Sequence, residues 1–216
     1  MPIGPFRLSD LVGADIGLHV GANFVTAFPE RTYANPRGLV PLLNEAGRLG
    51  EKTASKGGFY KYAQEDAGGK KRLKATADPQ GIAGLLAESR AQAQQLGVPI
   101  VANGLTDQEI IEMIFFPVLN EGCRALAEGI VDKASDLDIA TVMSMGFPPY
   151  RGGLIKWADN EVGAQRIVAR LLHFSRMFGP AAAGFYTPCE MLLHCAAAGV
   201  PLADGMSFYK SPEAKL

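Results

Sequence analysis

Histidine and carboxylate pairs are the residues most able to move protons, and this chain has few of them. Of its three histidines only His194 has a carboxylate, Glu190, one helical turn away, where the two side chains could meet. His19 and His173 lie beside apolar residues with no such partner. We interpret the Glu190–His194 pair as a helix-surface or otherwise satisfied contact, with a catalytic dyad as the alternative. The sequence therefore predicts no catalytic residue.

The three cysteines of the chain are candidate metal ligands or redox groups. Cys123, Cys189 and Cys195 form an odd set without a CxxC pair. Cys189 and Cys195 are six residues apart, so on one helix they point roughly 120° away from a common stripe. We therefore predict reduced, mostly buried thiols and no metal site, rather than a zinc or redox pair.

Basic residues are concentrated in residues 64–77, where a Gly-Gly pair precedes three consecutive cations and a further lysine. This polar run predicts a solvated linker, with a phosphate contact as the alternative reading. Over the whole chain the charges nearly balance, with a net charge of −1, so neither nucleic acid nor an acidic lipid surface is an expected partner.

Composition and length bound the class of protein. The chain has 216 residues, of which 48% are hydrophobic and 20% charged, which is the ordinary globular range. That length suffices for one large domain or two small ones with a substantial core. No apolar run approaches the ~18 to 20 residues that a membrane-spanning helix requires.

Helical signals predict most of the secondary structure. Three capping boxes stand out, formed by Thr106 with Glu109, Ser135 with Asp138, and Thr187 with Glu190. Together with apolar spacing and terminal glycines they predict helices over about 107–128, 136–145, 164–177 and 188–198, the first bent at Pro117. Pro188 is expected at the first helical position of the last helix.

The first half is predicted to be helical but more interrupted. One amphipathic helix is expected from Leu8 to Phe24, ending before Phe28, and a second over about residues 37–48. Glycine followed by alternating aromatics predicts a short extended segment near residues 58–62. A connecting helix should then run over about residues 78–95. These elements together predict an all-α fold.

An internal repeat relates the two halves of the chain. The proline- and glycine-rich turn at residues 1–6 is followed by Asp10 and Val12-Gly13. The turn at residues 147–153 is followed in the same way by Asp159 and Val162-Gly163. Two predicted helices precede the second turn and none precedes the first, so we expect a first copy that lacks its leading helices.

The ordered motifs resemble a known family. Residues 1–13, MPIGPFRLSDLVG, are similar to the opening Pro-Met-Gly-Pro-Phe segment of 3-hydroxyacyl-CoA dehydrogenase C-terminal domains, and Lys56–Tyr62, KGGFYKY, resembles the closing signature of the same domain. Residues 116–123, 134–138 and 147–153 are similar to the second copy of that domain in multifunctional β-oxidation enzymes.

The resemblance implies two tandem helical units that pack as a pseudo-dimer and close over an NAD-binding domain, with acyl-CoA between them. The implied domains are a truncated first copy at 1–63, a linker and connecting helix at 64–104, a second copy at 105–210 and an exposed tail at 211–216. The implied reaction is the NAD-dependent oxidation of 3-hydroxyacyl-CoA to 3-oxoacyl-CoA in fatty-acid β-oxidation.

The resemblance also implies where the chemistry lies. In the family a His–Glu dyad and a serine belong to the NAD-binding domain. No G-x-G-x-x-G motif occurs here, so we expect no cofactor to bind this chain alone. At the position of the family's assisting asparagine the second copy has Glu112. Gly4, Pro5 and Arg151 are the candidate substrate or interdomain contacts. Asn120, Glu121 and Arg151 are interpreted as packing or interdomain residues, with contact to an acyl-CoA phosphate as the alternative for Arg151.

The final tripeptide Ala214-Lys215-Leu216 is close to the Ser-Lys-Leu address read by the peroxisomal import receptor. We therefore expect a peroxisomal protein whose partners are that receptor, an NAD-binding domain and acyl-CoA. The alternatives are a stand-alone binding or assembly module that docks on a separate NAD-binding chain, and a gene fragment left poorly soluble by bare apolar faces between Leu8 and Phe28.

Overall fold

The structure is a computed structural model that describes residues 3–31, 38–68, 70–100, 104–205 and 207. The chain divides into two compact units, residues 3–100 and residues from 101 onward. The described residues are mostly helical with one strand pair, which confirms the predicted all-α class. Among them, no helix combines the length and apolar character needed to cross a bilayer.

The first unit contains four helices and a hairpin within its described ranges: α1 Pro5–Val12, α2 Ala14–Ala27, α3 Leu39–Glu45, a 3-10 turn at Gly50–Thr53, β1 Tyr60–Ala67, β2 Lys70–Ala77 and α4 Ala83–Gln95. Ala14, Leu43 and Phe59 form its buried core. The single helix predicted from Leu8 to Phe24 is wrong, because Gly13 adopts φ 103° and ψ 139° and separates α1 from α2.

Residues 64–77, predicted to be a linker, instead form most of an antiparallel hairpin. Tyr60 pairs with Ala77 and Ala67 with Lys70. The described side chains of this segment are largely exposed, and Lys74 pairs with Glu65 at 2.5 Å across the strands. Its polarity therefore reflects exposure to solvent. Backbone hydrogen bonds between strands form without apolar side chains. The polar composition of this segment therefore did not indicate a hairpin.

The second unit is built on a long helix. Its described elements are α5 Asp107–Ala127, α6 Ala134–Met145, a 3-10 turn at Pro149–Arg151, α7 Leu154–Trp157 continuing as a π-helical turn at Ala158–Val162, α8 Ala164–Phe178, α9 Pro180–Tyr186, α10 Glu190–Ala198 and a 3-10 turn at Leu202–Asp204. Many of its fully buried side chains come from α5, α8 and α10, including Phe116, Leu119, Ile167, Leu171, Phe174, Met191 and Leu192.

One of the three predicted capping boxes is confirmed. The Glu109 backbone N–H donates to Thr106 Oγ1 at 3.2 Å, and the Thr106 N–H donates to Glu109 Oε2 at 3.1 Å. The other two are wrong. Helix α6 begins at Ala134, before Ser135, and the Asp138 carboxylate accepts from the backbone of the α7 segment instead.

The third predicted box fails because α10 begins later than expected. Cys189 is the N-cap residue and Glu190 the first helical residue, so Pro188 precedes the helix. The Thr187 carbonyl is held by side chains of α5. A tertiary contact thus fixes this helix start instead of a local cap.

The internal repeat is visible in the backbone. Gly163 adopts φ 88° and ψ 141°, close to the values of Gly13, and each glycine is the N-cap of the helix that follows. Asp10 lies three residues before its glycine and Asp159 four before, and the π-helical turn absorbs the additional residue.

Asp10 and Asp159 also make equivalent hydrogen bonds, because each accepts two backbone N–H groups. Asp10 accepts the backbone N–H groups of Phe59 and Tyr60, each at 2.9 Å. Asp159 accepts those of Leu202 and Ala203 at 2.7 and 3.1 Å. In each copy, therefore, a carboxylate shortly before the N-cap glycine holds the segment that closes the unit.

Candidate functional site

Helices α1 and α2 present a broad apolar surface to solvent. Ile16 and Val20 are each 44% exposed and Phe24 is 54% exposed. These three residues follow one another at four-residue steps, so they share one face of α2. Further exposed apolar side chains of the two helices are Phe6, Leu8, Leu11, Val12 and Val25. A continuous patch of this kind is typical of an interaction surface.

The repeat shows what covers the matching face in the second unit. Counted from the two N-cap glycines, Ile16 and Val20 correspond to Arg166 and Arg170 of α8. Both arginines bind Glu112 of α5, Arg166 Nη2 at 2.6 Å and Arg170 Nε at 2.5 Å. Helix α5 therefore packs on the face of α8 whose counterpart on α2 is apolar and exposed.

Glu112 is a structural ion-pair residue in this arrangement. It is only 1% exposed. Burial alone would raise its pKa, but hydrogen bonds from Arg166, Gln108 and Arg170 outweigh burial and lower it. The carboxylate is thus ionised and shared between two cations, so it holds α5 against α8.

The candidate contact residues Gly4 and Pro5 lie at the start of α1. Gly4 is its N-cap and Pro5 its first residue, and both are exposed. A side chain added at Gly4 would meet nothing within 4 Å. They belong to the first unit and Arg151 to the second, so neither unit by itself brings the three residues together.

Arg151 lies at an open cavity of about 620 Å³ within the second unit. Its guanidinium pairs with Glu161 and lies 5.7 Å from the ring centroid of Tyr150. The cavity is lined by Gln108, Ile111, Phe115, Phe147, Pro148, Tyr150, Arg151, Trp157, Glu161, Val162 and Arg166. Aromatic rings and two arginines thus share one opening, and sequence reasoning identified only Arg151 among them.

Aromatic packing builds the wall of this cavity. Trp157 lies 5.8 Å from Phe147 and 6.3 Å from Phe115, measured between ring centroids. These residues are on α5, the turn after α6, and α7, so no spacing in the sequence joins them. Trp157 is also the only tryptophan of the chain.

Asn120, interpreted from the sequence as a packing or interdomain residue, makes a buried packing contact within the second unit. It is completely buried on α5. Its Nδ2 donates to the Thr187 carbonyl at 2.8 Å, and its Oδ1 accepts the Cys189 backbone N–H at 2.7 Å. The amide thus fixes the chain where it enters α10.

The three thiols are free and buried, as the sequence predicted. Cys123 and Cys189 lie close enough for each thiol to shift the pKa of the other. Cys195 donates instead to the Pro201 carbonyl at 3.8 Å. Among the described residues, no group of three or more histidine, cysteine or acidic side chains is placed to hold a metal ion.

None of the three histidines is fully buried. His19 and His173 are exposed and His194 is half-buried. The ring centroid of His173 lies 5.6 Å from that of Phe174. The tripeptide 214–216 falls outside the described residues.

The described residues do not fit a dinucleotide. A pyrophosphate site of the usual kind needs a strand, a glycine-rich turn and a helix in a parallel sheet. The strands described here are one antiparallel pair. Fold and site thus define a helical two-unit module with an apolar docking face, without an assembled redox site in the described ranges.

The comparisons with known proteins agree with the motifs. Residues 1–62 match the model of the 3-hydroxyacyl-CoA dehydrogenase C-terminal domain. The chain is 42% identical to the glyoxysomal fatty acid β-oxidation multifunctional protein of Brassica napus over 203 residues, which is 94% of this chain and 26% of the relative. The peroxisomal multifunctional protein of Arabidopsis thaliana shows the same identity over the same shares.

A bacterial relative is more distant. The α subunit of the fatty acid oxidation complex of Pseudomonas aeruginosa is 34% identical over 170 residues, or 78% of this chain and 21% of the subunit. The chain thus spans about a quarter of the length of the plant relatives. The resemblance to 3-hydroxyacyl-CoA dehydrogenase C-terminal domains that the motifs indicated is confirmed.

Proposed function

We propose that this chain supplies the C-terminal, substrate-side and dimerisation part of a 3-hydroxyacyl-CoA dehydrogenase of fatty-acid β-oxidation. In this proposal NAD and the proton-transferring residues belong to an NAD-binding domain outside these 216 residues, and the two units pack as a pseudo-dimer. The observation that carries the proposal is the exposed apolar face of α2, together with its counterpart on α8 that a helix covers.

The occupant that we propose for this face is a leading helix attached to the NAD-binding domain, equivalent to α5. In the second unit α5 precedes α8 and contacts it through positions 166 and 170. In the first unit the matching positions are Ile16 and Val20, so the contact there would be apolar. Burying the exposed half of each side chain would contribute about 1 kcal/mol per residue.

The direct test is reconstitution. The chain alone should give no NAD reduction with 3-hydroxyacyl-CoA. Addition of an NAD-binding domain of a 3-hydroxyacyl-CoA dehydrogenase, expressed with its leading helix, should give binding by calorimetry and restore turnover. The double variant Ile16→Lys/Val20→Lys should abolish both, whereas Met143→Lys, on a 79% exposed residue of the second unit, should not. Turnover by the isolated chain would overturn the proposal.

The alternative is an assembly module that docks on a separate NAD-binding chain. It uses the same face but requires a stable association between two polypeptides. Co-purification of the tagged chain with an NAD-binding protein from its own source would favour this alternative. A transcript that continues upstream of the codon for Met1 in the same frame would favour a single polypeptide.

We further propose that the cavity beside Arg151 contacts a phosphate of acyl-CoA. Two arginines and Tyr150, which is 84% exposed, could bind a phosphate and stack on an adenine ring. Trp157 reports on the cavity, so titration with coenzyme A should change its fluorescence. Arg151→Gln should weaken that binding about tenfold, and Arg176→Gln, outside the cavity lining, should not. An unchanged affinity in Arg151→Gln would refute the contact.

The peroxisome is the proposed location. The similar plant proteins are named as glyoxysomal or peroxisomal, and Ala214-Lys215-Leu216 supplies a fitting address. A fluorescent protein fused in front of the chain should collect in peroxisomes. Removal of the three residues should leave it diffuse. Collection in peroxisomes without them would show that the tripeptide is not the address.

A further inference from the structure

We propose that Cys123 and Cys189 are a peroxide-reactive thiol pair that closes to a reversible disulfide, locking α5 to the start of α10. The pair is confined to the second unit, and the proposed function depends on the α2 face of the first unit. Either proposal can therefore fail without the other.

Geometry brings the two thiols together. Asn120, Cys123 and Arg124 are three and four residues apart on α5, so their side chains share one face. Asn120 Nδ2 and Arg124 Nη2 both donate to the Thr187 carbonyl, at 2.8 and 2.9 Å, and Asn120 Oδ1 accepts the Cys189 N–H. Three hydrogen bonds thus fix residues 187–189 against the face of α5 that carries Cys123, and each of the two thiols shifts the pKa of the other.

The pair is asymmetric in a way that suits stepwise oxidation. Cys123 is 0% exposed, whereas Cys189 is 9% exposed and lies between the exposed residues Thr187 and Glu190. A small hydroperoxide should therefore reach Cys189 first. Cys123, directly behind it, is then positioned to resolve the oxidised sulfur.

The electrostatic surroundings support the same order. The neighbouring Cys123 thiol, and then the Leu192 N–H, Arg124 and the Met191 N–H, lower the pKa of Cys189 below its ordinary value, although burial opposes them. The hydrogen bond to Cys189 and then burial raise the pKa of Cys123. Burial raises the pKa of Cys195 to about 11. Cys189 is thus the thiol with the largest thiolate fraction at neutral pH.

The chemistry balances with one hydroperoxide as the oxidant. The Cys189 thiolate attacks the distal oxygen of R–O–O–H, the O–O bond breaks, and an alcohol and a sulfenic acid form. The Cys123 sulfur then attacks the Cys189 sulfur, the S–O bond breaks, and the hydroxyl group leaves as water with the Cys123 proton. Two thiols lose two electrons in total, and the peroxide is reduced to an alcohol and water.

Peptide mapping of the native chain tests the pair directly. After treatment with one equivalent of hydrogen peroxide at pH 7, the protein is alkylated and cleaved after glutamate. Cleavage after Glu121, Glu128 and Glu190 places the three cysteines in separate peptides. We expect one linked pair, Cys123 with Cys189, that a dithiol reductant releases. A link to Cys195, or oxidation of Cys195 in preference to Cys189, would overturn the proposal.

Two variants separate the steps. Cys123→Ser should leave a Cys189 sulfenic acid that dimedone traps, and Cys195→Ser should form the link as the wild type does. Alkylation of Cys189 at pH 7 should be faster than that of Cys195, because the pKa of Cys189 is lowered, that of Cys195 is raised, and Cys195 is completely buried. Mapping of the wild type decides the matter even if Cys123→Ser fails to fold.

Discussion

Replacement of Asp10 by asparagine should open the closing segment of the first unit. The Asp10 side chain is 3% exposed and accepts three hydrogen bonds, from the Phe59 and Tyr60 N–H groups and from the Tyr62 hydroxyl at 2.7 Å. Each is a bond to a buried carboxylate, the kind that contributes about 1.5–3 kcal/mol.

The expected loss of stability depends on which of the three hydrogen bonds an asparagine side chain can still accept. In Asp10→Asn one oxygen keeps its partner, while the NH2 group faces the Tyr60 N–H and the Tyr62 hydroxyl. The hydroxyl can rotate and accept, but the Tyr60 N–H loses its acceptor. We expect a loss of about 2–4 kcal/mol in the free energy of unfolding of the first unit. Asp15→Asn is the matched control, because Asp15 and Lys52 are 39% and 40% exposed and solvent screens their ion pair, so its loss should change stability little.

Hydrogen exchange localises the effect. A loss of about 3 kcal/mol should lower the protection of the Phe59 and Tyr60 amides roughly 100-fold. The Leu202 and Ala203 amides, held by Asp159 in the second unit, should keep theirs. Equal losses in Asp10→Asn and Asp15→Asn, or equal exchange changes in both units, would refute the reasoning.

Two further predictions concern the second unit. Glu112→Gln should lower its free energy of unfolding by about 2–4 kcal/mol at pH 7, because two arginines lose a buried anion. The folded-state pKa of Glu112 is lowered, so its stabilisation is full above the unfolded value of about 4.3 and is lost as pH falls through the folded value. Urea midpoints of wild type and variant should therefore converge on acidification, and a constant gap would contradict this. Gly153→Ala should cost at least about 3 kcal/mol, since φ is +118° and a Cβ would lie 2.3 Å from that of Asp138, whereas Gly163→Ala, at φ +88° with nothing within 4 Å, should cost about 1–2. Similar melting temperatures for the two glycine variants would show that the close approach to Asp138 is not limiting.

The start of helix α5 is an example of a local feature that the sequence predicted correctly. The Thr106 and Glu109 capping box is formed by residues three apart, so it could be read from the sequence. Ser135 and Asp138 have the same spacing, but Asp138 Oδ1 accepts a hydrogen bond from the Ile155 backbone N–H at 2.7 Å instead. Burial raises the pKa of that carboxyl despite its two backbone partners. A hydrogen bond from a residue distant in sequence thus replaces the expected capping box, and the spacing of Ser135 and Asp138 does not indicate that bond.

For the cavity and for the thiol pair, the sequence identified single residues but did not indicate that these residues lie close together. Arg151 was singled out by its turn, but the rings that share its opening come from three elements. Cys123 and Cys189 are far apart in the chain, and Asn120 brings the second to the first. Their contact depends on how α5 and α10 pack.

By itself the sequence determined the helical class, the thiol burial, the family resemblance and the internal repeat, because each depends on residue type and on spacings of a few positions. Only the tertiary structure decided that residues 64–77 pair as strands, that Gly13 divides a helix, and that Glu112 binds two arginines. Those outcomes depend on which distant groups satisfy a buried charge or a backbone N–H. The choice among such partners is made by packing, which short-range patterns do not encode.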